Sequence, residues 1–288
     1  MKAKLLFLHA LSPLHAGTGQ GVGAIDLPIA REKATGIPIV PGSSIKGVLR
    51  SNCEDDALKI RVFGPETENA SDHAGSAQFS DLRLLFLPVR SLAGTFAWVT
   101  SPLLLQRLQR DCKMADTHFA SEVPVVKATD ECLVSATDSQ LLTNVKRAAN
   151  KVVLEDLLLQ GQPAPTVDDL LNWLKPLLFG TDAAWGELFA ERLCVVHDDV
   201  LSFLLDTATE VTARIRLDDE KKTVVDGALW YEEALPAESI LSGLMVVQKI
   251  EASEEDVLSA ITKLARSPLQ VGGSATVGRG LCRLRLVS

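Results

Sequence analysis

Both ends of this chain have the pattern of β-strands, and this pattern constrains the fold more than any other feature. Lys2 to Leu11 is an apolar run that begins with two lysines. Arg279 to Val287 alternates apolar and polar side chains with a period of two, which is typical of a strand. We therefore expect the two termini to lie in one sheet.

The elements between the ends predict a mixed fold. Gly42 to Arg50 predicts a helix that begins with a serine cap directly after a Pro/Gly turn. Phe79 to Thr100 favours a hairpin or paired strands, Leu241 to Ile250 a strand, and Glu254 to Arg266 a helix. The order strand, helix, strands, then strand, helix, strand is typical of a split βαβ layout in the α+β class.

Residues 101–205 have mainly helical spacing and predict an insertion into that layout. The predicted helices of this insertion are Leu103 to Leu108, Val152 to Leu159, Leu170 to Leu178 and Trp185 to Leu193.

Two alternating runs follow the insertion, Val211 to Leu217 and Thr223 to Trp230, joined by a charged turn at 218–222. They predict a projecting β-hairpin over about 208–232. With the strands of both termini in one sheet, we expect residues 1–288 to form a single domain.

The net charge of the chain argues against a nucleic-acid partner, but the distribution of charge along the sequence does not. The chain has 288 residues, of which 47% are hydrophobic, and a net charge of −8, which excludes disorder as the main state. Residues 1–50 and 261–288 together carry +9, so residues 51–260 carry −17. Indiscriminate binding by the whole surface is excluded, whereas a narrow basic track at the two ends is not.

The cysteines and the hydropathy of the chain indicate its cellular location. The five cysteines are far apart and form no Cys-x-x-Cys pair, so neither a disulfide framework nor a zinc ribbon is indicated. No stretch approaches the ~20 apolar residues of a membrane span. We expect a cytoplasmic protein with no membrane partner.

Glycine-rich segments follow the first strand and precede the last. Gly19 opens a Gly-x-Gly-x-x-Ala pattern, but Pro28 prevents the helix that a dinucleotide-binding fingerprint needs. Gly272 to Gly280 contains four glycines and Arg279, and is either an anion cradle or a plain surface turn. The helix start at Gly42 to Lys46 is a third segment suited to binding phosphate.

These segments together resemble a known signature. The run Ser12-Pro13-Leu14-His15-x-Gly17-x-Gly19, then Ile25-Asp26-Leu27-Pro28, then Pro41-Gly42-Ser43-Ser44-x-Lys46-Gly47-x-Leu49-Arg50, resembles the N-terminal signature of the RAMP superfamily of CRISPR proteins. Leu87-Pro88-Val89-Arg90-Ser91 and Gly227-Ala228-Leu229-Trp230 are most similar to the backbone subunits of type III-B Cmr effector complexes. The resemblance covers about half of the chain and leaves residues 101–205 unmatched.

The resemblance implies a modified RRM (ferredoxin-like) palm with a thumb hairpin, in a subunit that stacks with other copies of itself along guide CRISPR RNA. It also implies other Cmr effector subunits as partners and single-stranded target RNA as the substrate, cut at regular intervals. The residues it implies for RNA binding are Gly17, Gly19, Arg31, Ser43, Ser44, Lys46, Arg50, Gly272, Gly273 and Arg279.

The resemblance further implies that Asp26 is the catalytic residue of an RNA-guided endoribonuclease, supported by His15 and by Glu232 or Glu233. RNA carries its own nucleophile, the 2′-OH, so a single carboxylate can suffice as a base or as a ligand for a divalent cation, Mg²⁺ or Mn²⁺. The expected products are a 2′,3′-cyclic phosphate and a 5′-hydroxyl.

Other interpretations stay open on the sequence alone. Asp26 lies beside Pro28 in a glycine-rich region, where an aspartate often has only a turn-forming role. The chain could then be a catalytically inactive scaffold that binds guide RNA. A stand-alone small-molecule enzyme with an acidic cleft in residues 51–260 is a third possibility.

Overall fold

The computed structural model describes most of the chain, and the charged turn at 218–222 lies outside the described residues. No helix among them is long and apolar enough to cross a bilayer. The described ranges are 2–19, 25–66, 73–119, 122–145, 148–217 and 224–287.

The described residues form helices and strands in an α+β arrangement, as predicted. In chain order these elements are β1 (Lys2–Ala10), β2 (Ile39–Val40), α1 (Gly42–Ser51), α2 (Asp56–Phe63), β3 (Ala77–Phe79), β4 (Leu82–Arg90), β5 (Phe96–Thr100), α3 (Pro102–Met114), β6 (Glu131–Ser135), β7 (Thr143–Val145), β8 (Ala148–Leu154), β9 (Leu157–Ala164), α4 (Pro165–Phe179), α5 (Ala183–Arg192), β10 (Leu193–Val196), α6 (Asp198–Thr207), β11 (Glu210–Leu217), β12 (Val224–Ala234), β13 (Ile240–Val247), α7 (Glu254–Leu264), β14 (Leu269–Gln270) and β15 (Leu281–Val287).

The palm is built from strands at both ends of the chain. β1 pairs antiparallel with β15 on one side and with β13 on the other, and β13 pairs with β4. The order β15-β1-β13-β4, with α1 after the first strand and α7 before the last, is a βαββαβ ferredoxin-like layout. The prediction that both termini lie in one sheet is confirmed.

Both faces of the palm sheet are covered. Leu5 to Ala10 in β1 are all buried, whereas a strand with one solvent-exposed face would alternate buried and exposed side chains. α7 packs against β15, and α3 packs against β1, β4 and β13. An RRM uses an open sheet face to stack RNA bases, and neither face of this sheet is open in that way.

The insertion contains more strand than the sequence predicts. α3, α4 and α5 match predicted helices, but Val152 to Leu159 is wrong as a helix, because it spans β8 and β9. Glu155 takes a left-handed φ of 48° in the tight turn between them. Short apolar runs do not distinguish strand from helix by periodicity, and the Glu155-Asp156 turn is the signal that decides here. β6 to β10 extend the palm sheet beyond β5.

α1 begins without the predicted serine cap. Pro41 is the N-cap and makes no side-chain cap, so Ser43 and Ser44 lie inside the first turn. The Gly42 N–H instead donates to Oδ1 of Asp81, at 2.9 Å. A Cβ on Gly42 would lie 2.3 Å from the Phe79 carbonyl oxygen, so glycine is required where the helix begins against the sheet.

β11 and β12 form the predicted hairpin as a separate two-stranded sheet. On one face, large apolar side chains are exposed: Val211, Ile215, Leu229 and Tyr231. The opposite face carries Thr212, Arg214, Trp230 and Glu232, and it is this polar face that turns toward the C-terminal glycine loop.

Candidate functional site at the base of the hairpin

Asp26 is held against the hairpin by its own backbone segment. The Leu27 N–H donates to the Tyr231 carbonyl at 3.0 Å, and the Glu233 N–H donates to the Leu27 carbonyl at 3.0 Å. The Tyr231 N–H also donates to Oδ2 of Asp26, at 2.8 Å. The side chain is exposed, and its Oδ1 accepts no hydrogen bond from the described residues. One carboxylate oxygen is therefore fixed and the other is free for a ligand.

Glu232 and Glu233 are neighbours in β12 and so point to opposite faces of the hairpin. Oε1 of Glu233 accepts from Nη2 of Arg31 at 2.6 Å and from Oγ1 of Thr209 at 3.0 Å, and its Oε2 accepts from the Ile29 N–H at 3.0 Å. All of these partners are groups of the protein itself: one main-chain N–H and two side chains. Glu233 is thus a structural residue that anchors the segment after Asp26.

Glu232 faces the glycine loop and is nearly completely buried, with 3% of its surface exposed. Its Oε1 accepts from Oγ of Ser274 at 2.8 Å and lies 3.6 Å from Nε of Arg279. Its Oε2 accepts from Nε of Arg214 at 3.2 Å. Between the two sequence alternatives, the geometry makes Glu232 the one that faces the site.

The environment of Glu232 keeps it ionised. Burial raises its pKa, but the Ser274 hydroxyl and the charges of Arg279 and Arg214 outweigh burial and leave the pKa below its usual value. A carboxylate that accepts from two donors and forms an ion pair with Arg279 as well is poorly suited to take a proton from substrate. It is well suited to hold the two arginines in place.

His15 lies beneath the two glycine segments and is 9% exposed. Its Nδ1 is 2.7 Å from the Glu233 carbonyl oxygen, which can only accept, so Nδ1 carries a proton and Nε2 is the nitrogen that faces away from this contact. A Cβ on Gly17 would lie 2.6 Å from Nε2. Glycine at position 17 therefore leaves room for the imidazole and for whatever approaches Nε2.

The C-terminal glycine loop closes over His15. The Gly273 N–H donates to the His15 carbonyl at 2.9 Å, and a Cβ on Gly272 would lie 2.2 Å from that same oxygen. Ser274, with a left-handed φ of 62°, then reaches Glu232. The two glycine segments that lie far apart in the sequence are thus packed against each other.

Arg279 ends this loop and is almost entirely buried, with its Nη2 donating to Oγ1 of Thr212 at 3.2 Å. Its Nη1 is buried and has no hydrogen-bond partner among the described residues. A buried guanidinium N–H without a partner is costly, and an anionic ligand would satisfy it.

The other residues predicted to bind RNA occupy different environments. Arg31 donates to the carbonyl oxygens of Gly36 and Leu205, each at 2.9 Å, and to Glu233, so its guanidinium is used internally. Arg50 donates to the Gly64 carbonyl and to Oε1 of Glu66, the latter at 2.8 Å.

Lys46, Ser43 and Gly19 are more open. Ser43 is exposed and Ser44 half-buried, and Gly19 has a φ of 75° with open space around it. Lys46 lines a groove of about 350 Å³ beside Gly64 and Gly75. Neither Lys46 nor Arg50 makes a hydrogen bond or ion pair with the cluster around Asp26 in the described parts of the chain.

The site therefore brings together Asp26, His15, Glu232, Gly17, Gly272, Gly273 and Arg279. Sequence reasoning missed Arg214, Thr212 and Ser274. Arg214 lies two positions along β11 from Thr212, which pairs with Glu232, so the hairpin register would have placed it on the same face. Over the described residues, no three His, Cys, Asp or Glu side chains converge on a possible metal position.

A palm of ferredoxin-like topology, a protruding hairpin and two glycine segments packed against each other define a modified RRM-type fold. The RAMP superfamily model matches residues 7–283, and the chain belongs to this superfamily. Within it, the chain is 36% identical over 297 residues to the "CRISPR system Cmr endoribonuclease Cmr4" of Pyrococcus furiosus, covering 99% of this chain and 96% of the relative.

A second relative and a solved structure agree with this family assignment. The "CRISPR system CMR subunit Cmr4" of Saccharolobus solfataricus is 23% identical over 98% of this chain and 96% of its own. The solved structure "oligomeric Cmr4 from Pyrococcus furiosus" superposes with a TM-score of 0.75 at 30% identity, covering 100% of this chain and 99% of that one. The predicted family and fold are confirmed.

Proposed function

We propose that this chain is the backbone subunit of a type III-B CRISPR effector that holds guide RNA and cleaves complementary single-stranded target RNA, with Asp26 as the catalytic residue. The observation that carries the proposal is the free carboxylate oxygen of Asp26, beside a buried cluster in which Glu232 holds Arg214 and Arg279. The likeness to a Cmr endoribonuclease over nearly the full chain supports it.

The protein's own groups divide the work as follows. Asp26 takes the proton of the attacking 2′-OH through its free oxygen, while the Tyr231 N–H fixes the other oxygen. Arg279, through its unpartnered Nη1, donates to the scissile phosphate and offsets its growing negative charge. Nε2 of His15, in its protonated form, gives a proton to the leaving 5′-oxygen.

Glu232 acts through the arginines in this scheme. Its carboxylate fixes the planes of Arg214 and Arg279 before RNA arrives, so no reorganisation is needed as charge develops. Glu232 is thus a positioning residue, and Asp26 is the catalytic one.

A divalent cation, Mg²⁺ or Mn²⁺, is part of the proposal. Mg²⁺ often uses one or two protein carboxylates and takes its remaining ligands from phosphate and water. Where the ion is bound, the free oxygen of Asp26 would be its ligand rather than the base, with RNA completing the donor set and solvent water taking the 2′-OH proton. When bound, the ion would supply additional stabilisation of charge on the phosphate.

The proposed partners are guide RNA, target RNA, further copies of this chain and other Cmr subunits. The glycine loops and the N-terminal half of α1 would contact guide RNA through its backbone. All five cysteines are free and buried, in keeping with the reducing cytoplasm in which we place the complex.

The test is an Asp26→Asn variant assembled with guide RNA and presented with labelled complementary RNA. We expect guide and target binding to be retained and regular cleavage to be lost, because Asn accepts the Tyr231 N–H but cannot take a proton. Asp206→Asn, on α6, is a control of equal charge change. Undiminished cleavage by Asp26→Asn would contradict the catalytic assignment, and a wild-type assembly that binds RNA but never yields a 2′,3′-cyclic phosphate would leave only a scaffold.

A further inference from the structure

A basic cleft runs along the outer edge of β15, outside the site described above. It has a volume of about 530 Å³ and lies between the end of α4, the end of α7 and β15. β14 pairs only with Leu281 and Cys282, so the outer edge of Arg283 to Val287 has no neighbouring strand among the described residues. We call this feature the β15 cleft.

Three arginines line the β15 cleft: Arg266, Arg283 and Arg285. Their guanidinium groups form no hydrogen bond or ion pair with any described residue. Arg283 and Arg285 are two residues apart in a strand and therefore project from the same face, about 7 Å apart. Partial burial of Arg285, together with the charge of Arg283, lowers the pKa of Arg285. Unpaired like charges in a cleft are unfavourable unless an anion joins them.

The position of Arg285 is built into the surrounding backbone. A Cβ on Gly180 would lie 2.3 Å from Nη2 of Arg285, so the guanidinium lies directly against the main chain that ends α4. The carboxylate lining the cleft, Asp182, is used as the N-cap of α5, where it accepts from the Trp185 N–H. It forms no ion pair with the arginines among the described residues.

We propose that the β15 cleft binds the phosphodiester backbone of RNA, with Arg283 and Arg285 each contacting a phosphate. Arginine matches phosphate with its planar fork, and the open cleft requires no particular base. This proposal rests on the proposed function, because the RNA is the strand held at the glycine loop. Arg283 follows Arg279 by four residues, which span at most about 14 Å of chain, so the same RNA can reach both.

The first test is the salt dependence of RNA binding. The double variant Arg283→Gln/Arg285→Gln is compared with the wild-type assembly, using fluorescent single-stranded RNA of guide length as the probe. Losing two phosphate contacts lowers the slope of log affinity against log salt by about 1.4, which is about sevenfold less loss of affinity between 50 and 200 mM salt. Arg90→Gln, at an exposed arginine at the end of β4, is the matched control and leaves the slope unchanged.

The melting temperature separates this role from a structural one. Because neither arginine pairs with a carboxylate, the double variant should melt at or above the wild-type temperature. A lower melting temperature with an unchanged slope would make the arginines structural and overturn the proposal. If Lys46→Gln weakens RNA binding and the double variant does not, the cleft proposal fails alone. If the wild-type chain binds no RNA at all, the proposed function fails as well.

Arginine modification identifies what occupies the cleft. Phenylglyoxal labelling followed by peptide mass measurement is carried out on the assembly with and without RNA. We expect RNA to protect Arg283 and Arg285 at least severalfold and to leave Arg90 unprotected. Equal protection in the RNA-free assembly would show that an acidic surface of another copy fills the cleft, which overturns the proposal.

Discussion

The packing of the glycine loop on His15 can be tested by comparing two glycines with nearly the same backbone conformation. Gly272 has a φ of 78° and Gly278 a φ of 83°, so alanine at either position pays the left-handed penalty of about 1–2 kcal/mol. Their surroundings differ. A Cβ on Gly278 would meet nothing within 4 Å, whereas a Cβ on Gly272 would lie 2.2 Å from the His15 carbonyl oxygen.

The expected difference follows from that contact. Carbon and carbonyl oxygen normally approach to about 3.3 Å, so the loop in Gly272→Ala must move by about 1 Å. The movement weakens the hydrogen bond from the Gly273 N–H to His15, and the strain of overpacking adds about 1–3 kcal/mol. We expect Gly278→Ala to cost about 1 kcal/mol of unfolding free energy, once the stiffer unfolded chain is counted, and Gly272→Ala about 2–4 kcal/mol.

The assays are urea unfolding and target-RNA cleavage on both variants. Because the displaced loop also carries Ser274, which donates to Glu232, Gly272→Ala should lose cleavage as well as stability. Gly278→Ala should retain most of both. If the two variants lost the same stability, the close approach of the loop to His15 would not be a determinant, and the steric reasoning would be refuted.

Three further predictions concern charged residues. Because the pKa of Glu232 is lowered in the folded protein, its carboxylate stabilises the fold above the unfolded-state pKa, and this stabilisation is lost as the pH falls through the folded-state pKa. The free energy of unfolding of Glu232→Gln should therefore decrease less steeply below about pH 4.5 than that of the wild type, as measured by acid unfolding. Lys46→Gln should reduce the salt slope of guide-RNA binding by about 0.7, with Lys113→Gln, at an exposed position of α3, as the control; an unchanged slope would exclude a phosphate contact. Arg31→Met should reduce stability by about 3 kcal/mol or more, since Glu233 would be left buried and unpaired, and a variant that lost RNA affinity without losing stability would contradict the internal role.

Patterns that depend on local periodicity were predictable. The alternation in Arg279 to Val287 and the helical spacing in Glu254 to Arg266 both indicate the correct elements, β15 and α7. The same reasoning gave the wrong element at Val152 to Leu159, because two short apolar strands around a tight turn show no clear period of two. Neither Ser43 nor Ser44 caps α1, because tertiary contact with Asp81 supplies the acceptor instead.

The site was predictable to the level of residue type but not of role. The resemblance singled out Asp26, His15 and the glycine loops; in the structure Asp26 and His15 bond to β12, and the C-terminal loop bonds to His15. It could not decide between Glu232 and Glu233, because that choice depends on which face of β12 turns toward Ser274. Nor could it show that Arg31 is bound internally, since its partners Leu205 and Glu233 are far away in the chain.

The pairing of Leu27 with β12 links the chemistry to the hairpin mechanically. The segment that carries Asp26 is joined to the hairpin by two main-chain hydrogen bonds and one from the Tyr231 N–H to the carboxylate itself. Any tilt of the hairpin therefore carries the carboxylate with it, and it also pulls on His15, whose Nδ1 bonds the Glu233 carbonyl of β12. The carboxylate and the imidazole thus move with the hairpin as one unit, so in the proposed filament the spacing of the hairpins would set the interval between cuts.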